Sequence, residues 1–215
     1  MVIGPLSPPR DAPRPPWLRW VDRTLQRQYD AMQAGEYGAS ARQFYTANAS
    51  VPRSLLSAVG GFDASFLRGE DVELAYRLAE AGAGFSFAPA ADAFHHAEHS
   101  FATWRRTCFQ YGRYDVAMER DKGLPALRLA ARELHTRHVL TRRATRAGLM
   151  HGAAVPACVA ALSALVLAAE RVRLDAPAMP ALSAIASLLY WRGVADALGG
   201  SAAALRRIDE ARPAA

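Results

Sequence analysis

Residues 60–82 read GGFDASFLRGEDVELAYRLAEAG and determine how the first half of the chain folds. The paired glycines at its start predict a turn in which at least one residue has positive φ. The apolar spacing that follows predicts a helix over 71–81, which Gly82 ends. The predicted core side of this helix holds Val72, Ala75, Leu78 and Ala79, and its predicted solvent side holds Glu73, Arg77 and Glu80.

Two adjacent carboxylates, Glu70 and Asp71, stand at the start of this predicted helix. Unpaired N–H groups and a partial positive charge stabilise anions there. A carboxylate held in that way beside a cleft can accept a hydrogen bond from a sugar hydroxyl, or remove its proton as a general base. The plainer interpretation is that acidic residues are ordinary signals for the start of a helix.

Short apolar segments around this helix predict a mixed α/β unit. A helix is predicted over 17–34, a short helix over 53–59, and a helix that begins after the capping residue Ser100. Strands are predicted at Val2-Ile3-Gly4, Phe44-Tyr45-Thr46, Phe85-Ser86-Phe87 and Ala93-Phe94-His95. The order strand, turn, helix and strand across 44–96 predicts that the Glu70–Asp71 helix start faces the same cleft as His95 or His96.

Several of these segments together resemble a known family. In order they are Asn48-Ala-Ser-Val, Arg53, Gly-Gly-Phe-Asp at 60–63, Gly-Glu-Asp-Val-Glu-Leu-Ala-Tyr-Arg-Leu at 69–78, and His95-His96. This pattern resembles the C-terminal half of family 2 glycosyltransferases, and it is equally similar to the galactosyltransferase C-terminal domain. The resemblance is strongest over 44–100 and extends more weakly over 1–120.

The resemblance implies a fold and a set of substrates. The fold is the C-terminal half of a GT-A-type α/β sandwich, here followed by a helical C-terminal region. In such enzymes the N-terminal half binds a nucleotide-sugar donor, with the help of an Asp-x-Asp motif and a divalent cation (Mn or Mg). The C-terminal half binds the acceptor, which is expected to be a glycan or a lipid-linked acceptor.

Individual roles also follow from the resemblance. It implies that Asp71 is the general base that takes the proton of the acceptor hydroxyl, and that Glu70, Asn48 and Gly61 bind the acceptor. In the galactosyltransferase-like branch, a histidine beyond the next strand is a ligand of the metal. The resemblance implies that this histidine is His95 or His96. Neighbouring strand residues face opposite sides, so only one of the two is expected to point into the site.

The chain also departs from the family pattern. No Asp-x-Asp occurs in residues 1–215, so the donor half is expected to be missing. Three origins of such a chain remain open: a truncated reading frame, a split-gene product that pairs with a donor-half polypeptide, and a remnant. The alternative function is a non-catalytic, membrane-associated remnant or pseudoenzyme. The expected domains are a partial glycosyltransferase domain over 1–119, a basic helical linker over 120–147, and an apolar helical region over 148–215.

The net charge of +6 is concentrated in one segment. Residues 120–146 hold eight basic and two acidic side chains. Their net charge, eight minus two, equals the net charge of the whole chain. Nucleic-acid binding would need basic side chains spread over a face, with aromatic side chains to stack on bases. We therefore expect no nucleic-acid partner.

Two apolar segments follow the basic one. Residues 148–169 carry no charge and are long enough to span a bilayer, but they are rich in alanine and include His151 and Pro156. Residues 176–198 include Arg192 and Asp196, and with Tyr190 and Trp191 they predict a helix lying at an interface. The preceding basic residues favour the cytoplasmic face of a membrane, with the protein either peripheral or crossing once.

Overall fold

A computed structural model describes residues 1–10 and 13–212 of the chain. Over these residues the protein is mostly helical with two small sheets, which is compatible with the expected α/β class. The chain divides into two compact units, one formed by Met1–Arg14 and Leu18–Glu98 and the other by Pro15–Trp17 and His99–Ala215. The functional domains expected over 1–119, 120–147 and 148–215 stay predictions.

The first unit is built from short strands and three helices. The strands are β1 (Val2–Ile3), β2 (Leu6–Ser7), β3 (Ala49–Ser50), β4 (Ser86–Phe87) and β5 (Ala93–Phe94). The helices are α1 (Pro16–Gln33), whose first two residues belong to the second unit, α2 (Arg53–Ala58) and α3 (Glu70–Glu80).

The chain start lies at the centre of a sheet. β1 pairs antiparallel with β3, with Val2 opposite Ser50, and parallel with β4, with Val2 opposite Ser86. β2 pairs parallel with β5, with Leu6 opposite Ala93. The strands predicted at the chain start and around β4 and β5 are therefore confirmed.

The strand predicted at Phe44-Tyr45-Thr46 is wrong. A 3₁₀ turn at Ala41–Gln43 precedes it and another at Thr46–Asn48 follows, and the strand β3 begins only at Ala49. Phe44 is extended and completely buried, which explains its strand-like pattern. Pairing with β1 begins five residues later, because that is where the backbone meets Val2 and Ile3.

The predicted faces of α3 also need correction. Leu74, Ala75 and Leu78 are buried as a core stripe, but Glu73, which was predicted to face solvent, is completely buried as well. Ala79, which was predicted to face the core, is exposed. Glu73 can be buried because it forms an ion pair with Arg77.

The second unit is entirely helical over its described residues. It contains α4 (Phe101–Lys122), α5 (Ala126–Thr136), α6 (Val139–Met150), a 3₁₀ turn at Gly152–Ala154, α7 (Val155–Arg171), α8 (Asp175–Ala197) and α9 (Ser201–Glu210). The predicted cap is confirmed, because the Ser100 side chain accepts a hydrogen bond from the Thr103 amide.

Helix α8 forms the core of this unit, so the prediction that residues 176–198 lie at an interface is wrong. Ile185, Trp191 and Val194 are buried in it. Two glycines allow α8 to approach α4 closely. A Cβ on Gly193 would lie 2.0 Å from the carbonyl oxygen of Phe109, and one on Gly112 would lie 2.0 Å from that of Tyr190. Because glycine has no side chain, the backbones of α4 and α8 can come this close at Gly112 and Gly193.

One helical segment in the described part of the chain, Gly152–Arg171, is long and apolar enough to cross a membrane. Only 28% of its most apolar 18 residues are buried. The segment therefore differs from α8, which is apolar because it is the core. Whether residues 148–169 span a bilayer stays a prediction at this point.

Candidate functional site

The start of α3 presents Glu70 and Asp71 together. Gly69 precedes the helix with φ 69° and ψ 16°, a left-handed conformation that favours glycine, so the chain turns sharply into the helix. Both carboxylates are half-buried, and they lie in the first turn, where the backbone N–H groups favour anions. The glycine therefore fixes where the two carboxylates point.

Asp71 lies among backbone amides. Its Oδ1 accepts a hydrogen bond from the Val72 amide at 2.8 Å, and the Thr46 amide lies close enough to act on the pKa of the carboxyl. Burial nevertheless raises the pKa of Asp71 above the ordinary aspartate value, and the negative charge of Glu70 adds to this, while the amides oppose it. A carboxylate with a raised pKa is a stronger base for a hydroxyl proton than an ordinary aspartate.

Asn48 belongs to the same 3₁₀ turn as Thr46, so the structure brings the predicted acceptor residue Asn48 into the segment that contacts Asp71. The Asn48 side-chain Nδ2 donates to the carbonyl oxygens of Pro5 and Ala91, each at 2.7 Å. Its backbone carbonyl accepts from the Gly4 amide at 3.0 Å. Asn48 thus links the connection between β1 and β2 to the turn before β5, and its acceptor role stays a prediction.

Gly4 shows how tightly this junction is packed. A Cβ at position 4 would lie 2.1 Å from the Ala91 carbonyl oxygen and 2.4 Å from Asn48 Nδ2. Contacts this short cannot exist, so only glycine allows Asn48 to make both of its hydrogen bonds. The sequence pattern Ile3-Gly4-Pro5 carried this signal, although its partner could not be identified from spacing.

The turn that carries Gly61 is tied to α3 by Arg77. Gly60 and Gly61 both have positive φ, 76° and 72°, as the paired glycines predicted. Arg77 Nη1 donates to the Val59 carbonyl at 2.6 Å, and Nη2 donates to the Gly61 carbonyl at 2.8 Å. The guanidinium therefore holds the turn in place against the helix.

Glu73 completes this arrangement from inside the unit. Its two carboxylate oxygens accept from Arg77 Nε at 2.6 Å and from Nη2 at 2.7 Å, a bidentate pair. Burying a carboxylate is costly unless it is paired and hydrogen-bonded, and this pair meets that condition. The hydrogen bonds to Glu73, together with its charge, also raise the pKa of Arg77. Sequence reasoning missed this function, although the spacing of four residues between the two charges was its visible signal.

The two candidate histidines lie at and after β5. The His95 amide donates to the Ser7 carbonyl at 2.8 Å, which continues the pairing of β5 with β2, and both histidine side chains are exposed. His95 lies close enough to Asp22 for its charge to act on that carboxyl. Burial raises the pKa of Asp22, while Arg14 and His95 oppose the rise. The structure thus places His95 near an Arg14–Asp22 ion pair of 2.8 Å.

A divalent cation would need a cluster of His, Cys, Asp or Glu side chains around it. Within residues 1–10 and 13–212 no group of three or more His, Cys, Asp or Glu side chains could hold a metal ion. The described residues therefore do not form a cation site by themselves. A ligand role for His95 or His96 stays a prediction that needs ligands from outside the described residues.

Comparison with known proteins gives one match. A family model described as "Glycosyl transferase family group 2" matches residues 6–194, a range that contains Asn48, Gly61, Glu70, Asp71 and both histidines. No match was found among the curated proteins or among the solved structures.

Proposed function

Because the chain belongs to glycosyl transferase family group 2, we propose that it forms the acceptor side of an enzyme that transfers a sugar from a nucleotide-sugar to an acceptor hydroxyl. The family implies a nucleotide-sugar donor and an acceptor, and it often uses a divalent cation (Mn or Mg). The finer assignments, to the C-terminal half of a GT-A-type fold and to a galactosyltransferase-like branch, are part of this proposal. The proposed acceptor substrate is a glycan or a lipid-linked molecule.

The observation that carries the proposal is the half-buried Asp71 carboxylate at the start of α3, which accepts a hydrogen bond from the Val72 amide and whose pKa is raised by burial. In the proposed reaction Asp71 removes the proton of the acceptor hydroxyl. The acceptor oxygen bonds to the anomeric carbon of the donor sugar, and the bond from that carbon to the nucleoside diphosphate breaks. The proton remains on Asp71, and the nucleoside diphosphate leaves.

Three other residues support the acceptor in this proposal. Glu70 accepts hydrogen bonds from the acceptor's other hydroxyls beside Asp71. Gly61 lies in a turn that Arg77 fixes against α3, and Asn48 lies in the segment that contacts Asp71. These positions support a shared acceptor surface around the start of α3.

The acceptor-side assignment makes a prediction about the donor. The 215-residue chain should not bind UDP-, GDP- or dTDP-sugars with a dissociation constant below about 1 mM, even with Mn²⁺ or Mg²⁺ present, since it lacks an Asp-x-Asp to anchor cation and diphosphate. Isothermal titration calorimetry of the purified chain measures this. Tight, cation-dependent binding of a nucleotide-sugar would contradict the assignment, because the donor site would then lie within this chain.

A further inference from the structure

One face of α7 is exposed and carries no charge. Its buried stripe is Val155, Val159, Ser163, Val166 and Ala169, at spacings of three and four residues. Its exposed residues before the last turn are Pro156, Ala157, Cys158, Ala160, Ala161, Ala164, Leu165, Leu167 and Ala168. A helix face in contact with water ordinarily carries charged and polar side chains. This face is therefore unlike an ordinary solvent face.

The exposed apolar surface continues on both sides of α7. In α6 an exposed stripe consists of Leu140, Ala144, Ala147 and Met150, at spacings of four, three and three residues. After α7, Val172 and Leu174 are also strongly exposed, at 64% and 57%. We call the exposed α6 stripe, the exposed α7 residues and these two residues the α6–α7 surface.

The charges at its borders indicate what covers this surface. Residues 139–174 contain five arginines and one acidic residue, Glu170. Three of the arginines, Arg143, Arg171 and Arg173, are exposed beside the apolar residues. A second copy of the chain would bring these like charges together, whereas an anionic bilayer offers hydrocarbon to the apolar residues and lipid headgroups to the arginines.

An arginine of α4 that contacts the middle of α7 determines the orientation. Arg105 of α4 donates from Nη1 to Ser163 Oγ at 3.3 Å, and its guanidinium carbon lies 5.1 Å from the centre of the Phe101 ring. Ser163 is the ninth of the 17 residues of α7, so a spanning α7 would place this arginine near the centre of the hydrocarbon, where a charge is costly. Ser163 and the completely buried Val166 belong to the same protein-facing stripe of α7, so Arg105 lies on the side of α7 away from its exposed apolar face.

We propose that the α6–α7 surface lies in the headgroup–acyl boundary of an anionic membrane, with α7 parallel to the membrane plane rather than across it. Anionic lipids are concentrated in the cytoplasmic leaflet, so the proposal places the protein on the cytoplasmic face as a peripheral protein. It concerns the second unit alone and does not depend on the transferase activity.

The chain carries its own site for a probe of this surface. Cys158 is exposed on α7, while Cys108 is buried, and burial raises the pKa of Cys108 to about 12, so it forms little reactive thiolate. An environment-sensitive dye will therefore label Cys158 selectively. On phosphatidylcholine vesicles that contain phosphatidylglycerol, we expect its emission to rise and shift to the blue.

Lipid charge and salt measure the role of the arginines. Three exposed arginines at the surface imply binding to the anionic vesicles on the order of 100-fold tighter than to pure phosphatidylcholine. High salt should remove most of this difference, since it screens charge attraction. Equal binding to both kinds of vesicle, or no binding to either, would overturn the proposal.

A matched pair of variants tests the apolar part. Leu167→Glu places a charge on the α6–α7 surface and should weaken vesicle binding at least about tenfold. Ala202→Glu places the same charge on an exposed position of α9 and should leave binding unchanged. Circular dichroism verifies that both variants fold. Unchanged vesicle binding by Leu167→Glu would overturn the proposal, as would a dimer that Leu167→Glu dissociates in the absence of lipid binding.

Depth measurements test the orientation. The dye is placed at Cys158, or at Leu165→Cys in a Cys158→Ser background, and nitroxide lipids quench it either near the headgroup or at the end of the acyl chain. We expect shallow quenching at both positions, and release of the protein by an alkaline wash. Deep quenching at position 165, together with resistance to the wash, would show a spanning helix and overturn the in-plane orientation.

Discussion

Asp71→Asn is expected to lower the turnover number about 10²–10⁴-fold in an enzyme completed by a donor half, which is the usual contribution of a general base. Asparagine keeps the size of the side chain and can still accept from the Val72 amide, but it cannot take a proton. Steady-state kinetics at saturating substrates measure the change. The control is Glu80→Gln, an exposed position at the other end of the same helix, which should leave turnover unchanged.

The pH dependence provides a second readout of the same variant. The base must be ionised, and burial raises the pKa of Asp71, so activity should fall with decreasing pH at values above the ordinary aspartate range. The contribution of Asp71 to the stability of the fold changes with pH in the opposite direction to the activity. A raised pKa in the folded state means that Asp71 stabilises the fold at low pH, and this contribution is lost as the pH rises through the raised pKa. Asp71→Asn should remove both effects, whereas a normal rate would show that Asp71 only begins a helix.

Arg77→Met is expected to destabilise the first unit by about 3–5 kcal/mol, because it leaves the completely buried Glu73 without its partner. Methionine retains much of the apolar stem, so the loss is mainly that of the guanidinium. Hydrogen exchange followed by mass spectrometry on peptides from α3 and from the Gly60–Gly61 turn measures it. Protection should fall by about two orders of magnitude or more.

Two controls separate the ion pair from a general loss of packing. Arg68→Met removes an exposed arginine just before α3 and should change stability by about 0.5 kcal/mol or less. Adding Glu73→Gln to Arg77→Met should restore part of the lost protection, because the unpaired charge is then gone. Unchanged protection in Arg77→Met would show that the turn is held without the guanidinium.

Local signals in the sequence were sufficient to predict most elements of the first unit. Gly69 and Gly82, with φ of 69° and 84°, bound α3 within a residue of the prediction, because the turns on both sides need a left-handed conformation. The strand at Val2-Ile3 was recognisable from its β-forming residues, although its central place in the sheet depends on partners more than 45 residues away.

The remaining features depend on contacts that spacing does not reveal. A glutamate is ordinarily assigned to the solvent side of a helix. Glu73 is buried because Arg77 pairs with it, and the same guanidinium also donates to the carbonyls of the Gly60–Gly61 turn. Trp191 and Tyr190 suggested an interface, but the glycine contacts with α4 place α8 in the core. Within the candidate site, the carboxylate pair was predictable from the sequence, and the approach of the Thr46 amide to Asp71 was not.

The central claim is that this chain supplies the acceptor side of a glycosyl transfer. The most direct test is transfer of radiolabelled sugar from a nucleotide-sugar by the 215-residue chain alone, by a family donor half carrying Asp-x-Asp alone, and by the two together, fused or mixed. We predict little or no transfer by either part and transfer by the combination. Robust, cation-dependent turnover by the 215-residue chain alone would contradict the account.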